Sequence, residues 1–383
     1  VKNIPPSGIR KFFDVVAESK DVLSLGVGEP DFITPWDICD AGIRSIKSGK
    51  TQYTSNWGLL PLREAVSEYL HKRFSLSYSP RNEIIVTVGA SEGIDISLRA
   101  VINPGDEILI PEPSYVSYSP IVRLCGGVPV PVNTDESCDF KLLPENVEKA
   151  ITEKTKAVIF PYPNNPTGAI MEKSYLDKLL PVIIKHDLLV ISDEIYAELT
   201  YDTDHVSIAS LPGMRERTIL ISGFSKAFAM TGWRVGYVCA PKEMAEAMCK
   251  IHQYIIMCAS TSSQYAALYA LEDGLKNEFS SVKYMRDEYN KRRRFMVKAF
   301  NSMGLKTFEP KGAFYVFPGV ESTGMDGETF ATDLLKKGRI AVVPGNAFGS
   351  NTSNFFRASY AYSMKNLGIA TERIALYLDT VRK

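Results

Sequence analysis

Between about residues 84 and 240, short apolar runs recur, each closed by turn residues and followed by a helical pattern. This alternation narrows the possible folds more than any other feature, because it is what a parallel sheet covered by helices requires. Ile84–Val88, Glu107–Ile110, Ala157–Phe160, Leu188–Ser192 and Thr218–Ser222 read as buried strands, with Val128–Val132 and Val235–Cys239 as further strands. Pro129 and Pro131 lack the N–H that a central strand must donate, so Val128–Val132 is expected at an edge. Helices are expected over Ser91–Ile102, Glu172–His186 and Lys242–His252. No internal repeat or low-complexity tract interrupts the pattern.

A chain of 383 residues exceeds what one hydrophobic core usually supports. A long charged helical stretch, roughly Glu272–Met303, leads into an alternating α+β pattern that ends in a helix near Lys365–Val381. The expected architecture is α/β. A large domain over 43–285 carries a mostly parallel seven-stranded sheet between helices, and a smaller α+β domain covers 286–383. Residues 1–42, with two early prolines and the turn GVGEP, are expected to join the small domain and cover a site.

Composition excludes some partners. The 44 basic and 44 acidic residues balance, so no global field favours nucleic acid or an anionic membrane. The start, VKNIPPSGIRKFF, has no signal-like apolar run, and no stretch approaches the roughly 18 apolar residues of a membrane helix. Six cysteines without CxxC spacing, three of them in apolar surroundings, point to a reducing, cytoplasmic setting and to no metal site. Small molecules are the expected partners.

The segments after the strands carry the chemistry. In open α/β sheets ligands bind beyond the carboxyl ends of the strands, which brings Gly89-Ala90-Ser91, Tyr115, Asn164-Asn165, Asp193 to Tyr196 and Ser225-Lys226 to one crevice. Gly89, Ala90 and Ser91 open a helix, where free N–H groups and the helix dipole attract an anion; taken alone, Ser91 is an ordinary cap. NNPTG reads as a turn presenting an amide, and Asp193 in DEIY doubles as a possible helix cap. A lone lysine is usually a solvated surface group. Lys226 in SGFSKAFAMTGWR instead has small and apolar flanks and Arg234 nearby, conditions that lower an amine's pKa and make it a nucleophile toward an aldehyde.

Taken in order, LGVGEPDF, KTQYT followed by GLLPLR, TVGAS, PEPSY, NNPTG, DEIY, SGFSKAFAMTGWR, GAFYVFP and FFRASYA resemble the class I and II aminotransferase family. These are enzymes of fold type I that use pyridoxal 5'-phosphate (PLP), and the resemblance, aspartate/aromatic aminotransferase-like, covers nearly the whole chain. It implies transfer of an amino group from an L-amino acid, aromatic, aspartate-type or broad, to a 2-oxo acid such as 2-oxoglutarate. Lys226 would hold the cofactor aldehyde and then shuttle a proton. Asp193 would keep the pyridine nitrogen protonated, and Tyr196 and Asn165 would hydrogen-bond the ring hydroxyl. Tyr115 would stack on the ring. Ala90, Ser91, Ser225 and Arg234 would hold the phosphate, with Tyr53 reaching it across a homodimer interface. Arg357 would clamp the substrate α-carboxylate, helped by Asn165 and a backbone N–H at Gly28.

Two departures from the family pattern stand out. Gly223 occupies a position where many relatives place a phosphate-binding hydroxyl, so Ser225 or Ser222 must compensate or a donor is missing. Around Cys258-Ala259-Ser260-Thr261 there is no second arginine for a substrate side chain, which speaks against a purely dicarboxylate-specific enzyme. A nicotinamide dehydrogenase would need a GxGxxG turn, and a PLP-binding transcription regulator an extra DNA-binding module; the sequence shows neither. A PLP carbon–sulfur β-lyase on the same fold is the nearest alternative.

Overall fold

The computed structural model describes Ile4 and residues 21–382. The opening prolines, with the rest of 1–3 and 5–20 of the expected site-covering segment 1–42, lie outside the described residues. All seven expected strands form one sheet: β1 (Ile84–Thr87), β2 (Glu107–Glu112), β3 (Val128–Asn133), β4 (Thr155–Phe160), β5 (Leu189–Asp193), β6 (Thr218–Gly223) and β7 (Gly236–Cys239). Their order across the sheet is β1-β7-β6-β5-β4-β2-β3, with β7 alone running against its neighbours. The proline-bearing β3 is an edge strand, Pro129 and Pro131 lying opposite Ile108 and Ile110.

The central strands are apolar throughout because both faces are buried. Ile108, Ile159, Ile219 and Ile221 point into one core, which they share with Ile94, Leu98 and Met248 of the covering helices. Leu109, Val158 and Val190, one residue out of step, face a second core, and Leu220 and Tyr237 a third, as the two-residue period of a strand dictates. Helices α1 (Gly89–Val101), α2 (Lys173–Lys185) and α3 (Lys242–Ile255) lie where helices were expected, within a few residues.

A separate core gathers Met285, Phe300, Phe314, Phe330, Phe356, Ile374 and Leu378, and it also takes in Leu25. Around it, Tyr315–Val316, Phe356–Ser359 and Val343–Pro344 form a three-stranded antiparallel sheet, while Leu23–Ser24 pairs in parallel with Ile340–Ala341. The final helix spans Met364–Val381.

The long helical stretch expected over Glu272–Met303 is not one helix. It breaks between Thr261–Asn277 and Ser280–Ser302, where Glu278 and Phe279 adopt φ of 57° and 56°. The reversal lets the Phe279 ring fold back onto Gly274, where a Cβ would stand only 2.4 Å from it. Burial of that aromatic ring offsets two residues of left-handed backbone. Cys239 and Cys249 are buried, Cys125 is half-buried against the apolar core, and all six are free thiols. No helix among the described residues is long and apolar enough to cross a membrane.

Candidate active site

Beyond the carboxyl ends of the parallel strands lies a cavity of about 670 Å³. Gly28, Ala90, Ser91, Tyr115, Asn165, Asp193, Tyr196, Ser225, Lys226, Arg234 and Arg357 all line it. Tyr53 does not: it is 79% exposed on the surface of its own chain.

Lys226 follows β6 in the loop that leads to Arg234. Its Nζ donates to the Gly28 carbonyl at 2.7 Å and stands 5.7 Å from the ring centres of Tyr196 and Phe314. Burial, aided by the nearby Arg357 and Arg234 charges and opposed by Glu29, lowers its pKa from the ordinary lysine value to about 8. Gly28 thus meets the lysine through its carbonyl oxygen.

Asp193 ends β5 inside the cavity. The Tyr118 hydroxyl donates to its Oδ2 at 2.8 Å, and the Ile195 N–H to Oδ1 at 3.3 Å. Burial outweighs these bonds and pushes the carboxyl up to about 6. Tyr118 was not singled out in the sequence, since nothing but a fold that brings residues 118 and 193 together marks it. Tyr315, in GAFYVFP, also reaches the site: its hydroxyl is 2.8 Å from that of Tyr196, and burial holds both phenols above their usual pKa.

Arg357 is 2% exposed. Its Nη1 donates to Asn165 Oδ1 at 2.8 Å and Nη2 to the Gly26 carbonyl at 2.6 Å, while Nε has no partner among the described residues. The guanidinium stacks 4.4 Å from the Tyr315 ring and 4.9 Å from Phe348. Asn165 therefore orients the arginine. Asn164 is the structural member of the pair, its Oδ1 accepting from the Thr167 N–H and hydroxyl to lock the turn.

At the other end of the cavity the first turn of α1 presents Ala90 and Ser91, flanked by Ser225 and Arg234. The Arg234 guanidinium donates to the Thr231 and Val88 carbonyls, and no acid pairs with it among the described residues. The Gly223 departure has a steric cause: a Cβ there would lie 2.8 Å from Gly236 Cα in the adjacent strand. Of the two serines that could compensate, Ser222 turns its hydroxyl to the Glu194 carbonyl, whereas Ser225 lines the cavity.

The arrangement gathers an amine of lowered pKa, a buried carboxylic acid, an anion cradle at a helix start and a buried arginine with no acid partner among the described residues. Comparison with known proteins agrees with it. The family model for aminotransferase class I and II matches residues 20–374. YugH of Bacillus subtilis, which carries an aminotransferase name, is 51% identical over 99% of this chain and 97% of its own. Aspartate aminotransferase of Pyrococcus abyssi is 46% identical over 97% of this chain and 95% of its own. The crystal structure of an aromatic aminotransferase from Pyrococcus horikoshii superposes with a TM-score of 0.92 at 44% identity, covering 97% of this chain and 99% of that one. The chain belongs to the class I and II aminotransferase family.

Proposed function

We propose that this aminotransferase uses PLP and moves the amino group of an L-amino acid, aspartate-type, aromatic or both, to a 2-oxo acid such as 2-oxoglutarate. The observation that carries the reading is Arg357. A buried cation is normally matched by a buried anion, yet this one has only neutral partners among the described residues and opens into the cavity that holds Lys226. Its planar fork suits the α-carboxylate common to amino and oxo acids.

The remaining residues fit PLP. The N–H groups of Ala90 and Ser91, the Ser225 hydroxyl and Arg234 would hold a phosphate dianion. Asp193, buried and bonded only to neutral donors among the described residues, gains a cationic partner if it faces a protonated ring nitrogen. Tyr115 offers an aromatic face, and Tyr196 and Asn165 offer polar groups beside it. When bound, PLP supplies the electron sink that stabilises negative charge at the substrate α-carbon.

The chain's own groups do the rest. Lys226 is the sole lysine lining the cavity among the described residues, and its lowered pKa leaves an appreciable fraction as free amine near neutral pH. Its Nζ is the group suited to accept the substrate α-proton and to return it. Tyr53, exposed on its own chain, would reach the phosphate of a second copy in a twofold dimer, each subunit lending and receiving one tyrosine.

The lining supports the aromatic part of this range. Lys226, Arg234 and Arg357 are its cations among the described residues, and the reading uses all three, leaving none for a side-chain carboxylate. Tyr115, Ile195, Tyr196 and Tyr315 supply surface for an apolar or aromatic side chain. The aspartate-type part is supported by relatives, some named for aspartate and some for aromatic amino acids.

Arg357→Lys tests the reading. A point charge cannot reproduce the fork, so kcat/KM should fall at least about thirtyfold, the ~2 kcal/mol that a broken buried charge pair costs. Steady-state kinetics with acidic, aromatic and small amino acids and with their oxo acids should show the same loss throughout. A loss confined to acidic substrates would put Arg357 at the side-chain end of the pocket.

A further inference from the structure

We propose that His252 is a positioning residue for the phosphate cradle, acting through Glu92; the proposal rests on the PLP reading above. His252 sits on α3 with a side chain 0% exposed, and its Nδ1 lies 2.6 Å from Glu92 Oε1. The other ring nitrogen, Nε2, finds no hydrogen-bond partner among the described residues. The imidazole therefore has one polar link, and with a carboxylate opposite it Nδ1 is the donor.

Glu92 stands in the first turn of α1, and its second oxygen accepts the Val88 N–H at 2.5 Å. Val88 is the cap residue of that helix. Immediately after it, Gly89 takes φ of +74°, the left-handed turn from which Ala90 and Ser91 enter the cavity lining. Arg234 is tied to the same turn, since its Nη2 lies 3.5 Å from the Val88 carbonyl and would stand 2.6 Å from a Cβ at Gly89. One carboxylate thus anchors the residue on which both halves of the anion cradle depend.

A carboxylate at this point has two opposite effects. The helix dipole favours it, but a phosphate dianion bound at the same helix start would be repelled by it. The hydrogen bond from His252 resolves the conflict by holding Glu92 on the Val88 N–H and by withdrawing part of its charge. Without that donor Glu92 is free to leave the cap, so the Val88 turn loosens while an unshared negative charge remains beside the cradle. The penalty falls on recognition of the phosphate and spares the ring and aldehyde ends of the ligand.

Pyridoxal, with the same ring and aldehyde but no phosphate, separates this role from core packing. Equilibrium binding of PLP and of pyridoxal to cofactor-free protein should give wild type a marked preference for PLP. His252→Leu should lower that preference about tenfold, the typical effect of losing a buried hydrogen bond to a charged group, with pyridoxal affinity unchanged. His252→Met serves as a second donor-free side chain if the leucine protein does not fold. His252→Asn, whose amide N–H falls near the Nδ1 position, should retain the wild-type preference. An unchanged preference in the donor-free variants, or an equal loss for both ligands, would overturn the proposal. A wild-type protein that does not discriminate between PLP and pyridoxal would instead remove the cofactor reading, and this proposal with it.

Discussion

Replacing Lys226 with alanine is expected to lower turnover by on the order of 10²–10⁴-fold, the usual contribution of a positioned acid–base group, while PLP still binds through its phosphate. The expectation follows from the cavity's composition. Lys226 is its only lysine among the described residues, so the variant has no second amine to take over the α-proton. The anion cradle of Ala90, Ser91, Ser225 and Arg234 is untouched by the change, which is why binding and chemistry should separate. Borohydride treatment of wild-type protein loaded with PLP should fix the cofactor covalently on Lys226 and on no other lysine. Mass-spectrometric detection of the adduct elsewhere, or near-normal turnover of Lys226→Ala, would contradict the assignment.

Asp193→Asn should keep the fold and the cofactor yet lose activity by on the order of 10²-fold or more, as when a preorganised electrostatic partner is removed from a dry site. The amide is nearly isosteric: its oxygen can still accept the Ile195 N–H that now bonds Oδ1 at 3.3 Å, and its NH2, in the place of Oδ2, can donate to the Tyr118 hydroxyl oxygen, which now donates to that carboxylate oxygen at 2.8 Å. What it cannot do is balance a positive charge on the ring nitrogen. Burial raises this carboxyl to about 6 even with the Lys226 charge nearby, so a cation directly opposite would be needed to restore full ionisation. Parallel titration of PLP binding and measurement of kcat checks the separation. Near-normal turnover with full cofactor occupancy would reduce Asp193 to a residue that caps the turn through the Ile195 N–H.

The sheet was legible because its central strands are buried on both faces and therefore read as uninterrupted apolar runs. Even the edge position of β3 was written in the sequence, since Pro129 and Pro131 can sit nowhere else in a sheet. The break at Glu278–Phe279 was not legible: no proline or glycine marks it, and its cause is a ring packing onto Gly274 in the preceding helix. The site divides in the same way. Lys226 has small, apolar flanks that signal chemistry, while Asp193 and Arg357 lie in motifs that carry the family resemblance. Tyr118 and His252 gain their roles only from contacts 75 and 160 residues away in the chain, which no local pattern announces. The choice between Ser222 and Ser225 likewise needed geometry, because both serines flank Gly223 and only the direction of each side chain separates them.

The central claim is amino-group transfer, and a half-reaction tests it most directly. Protein loaded with PLP, given L-aspartate or L-phenylalanine without any oxo-acid acceptor, should release one equivalent of the matching 2-oxo acid per active site and then stop. The amino group stays on the cofactor, no ammonia appears, and addition of 2-oxoglutarate restores turnover. No oxo acid from either amino acid, together with continued acceptor-independent release of thiol, pyruvate and ammonia from an L-cysteine S-conjugate, would identify an eliminating enzyme and contradict the account.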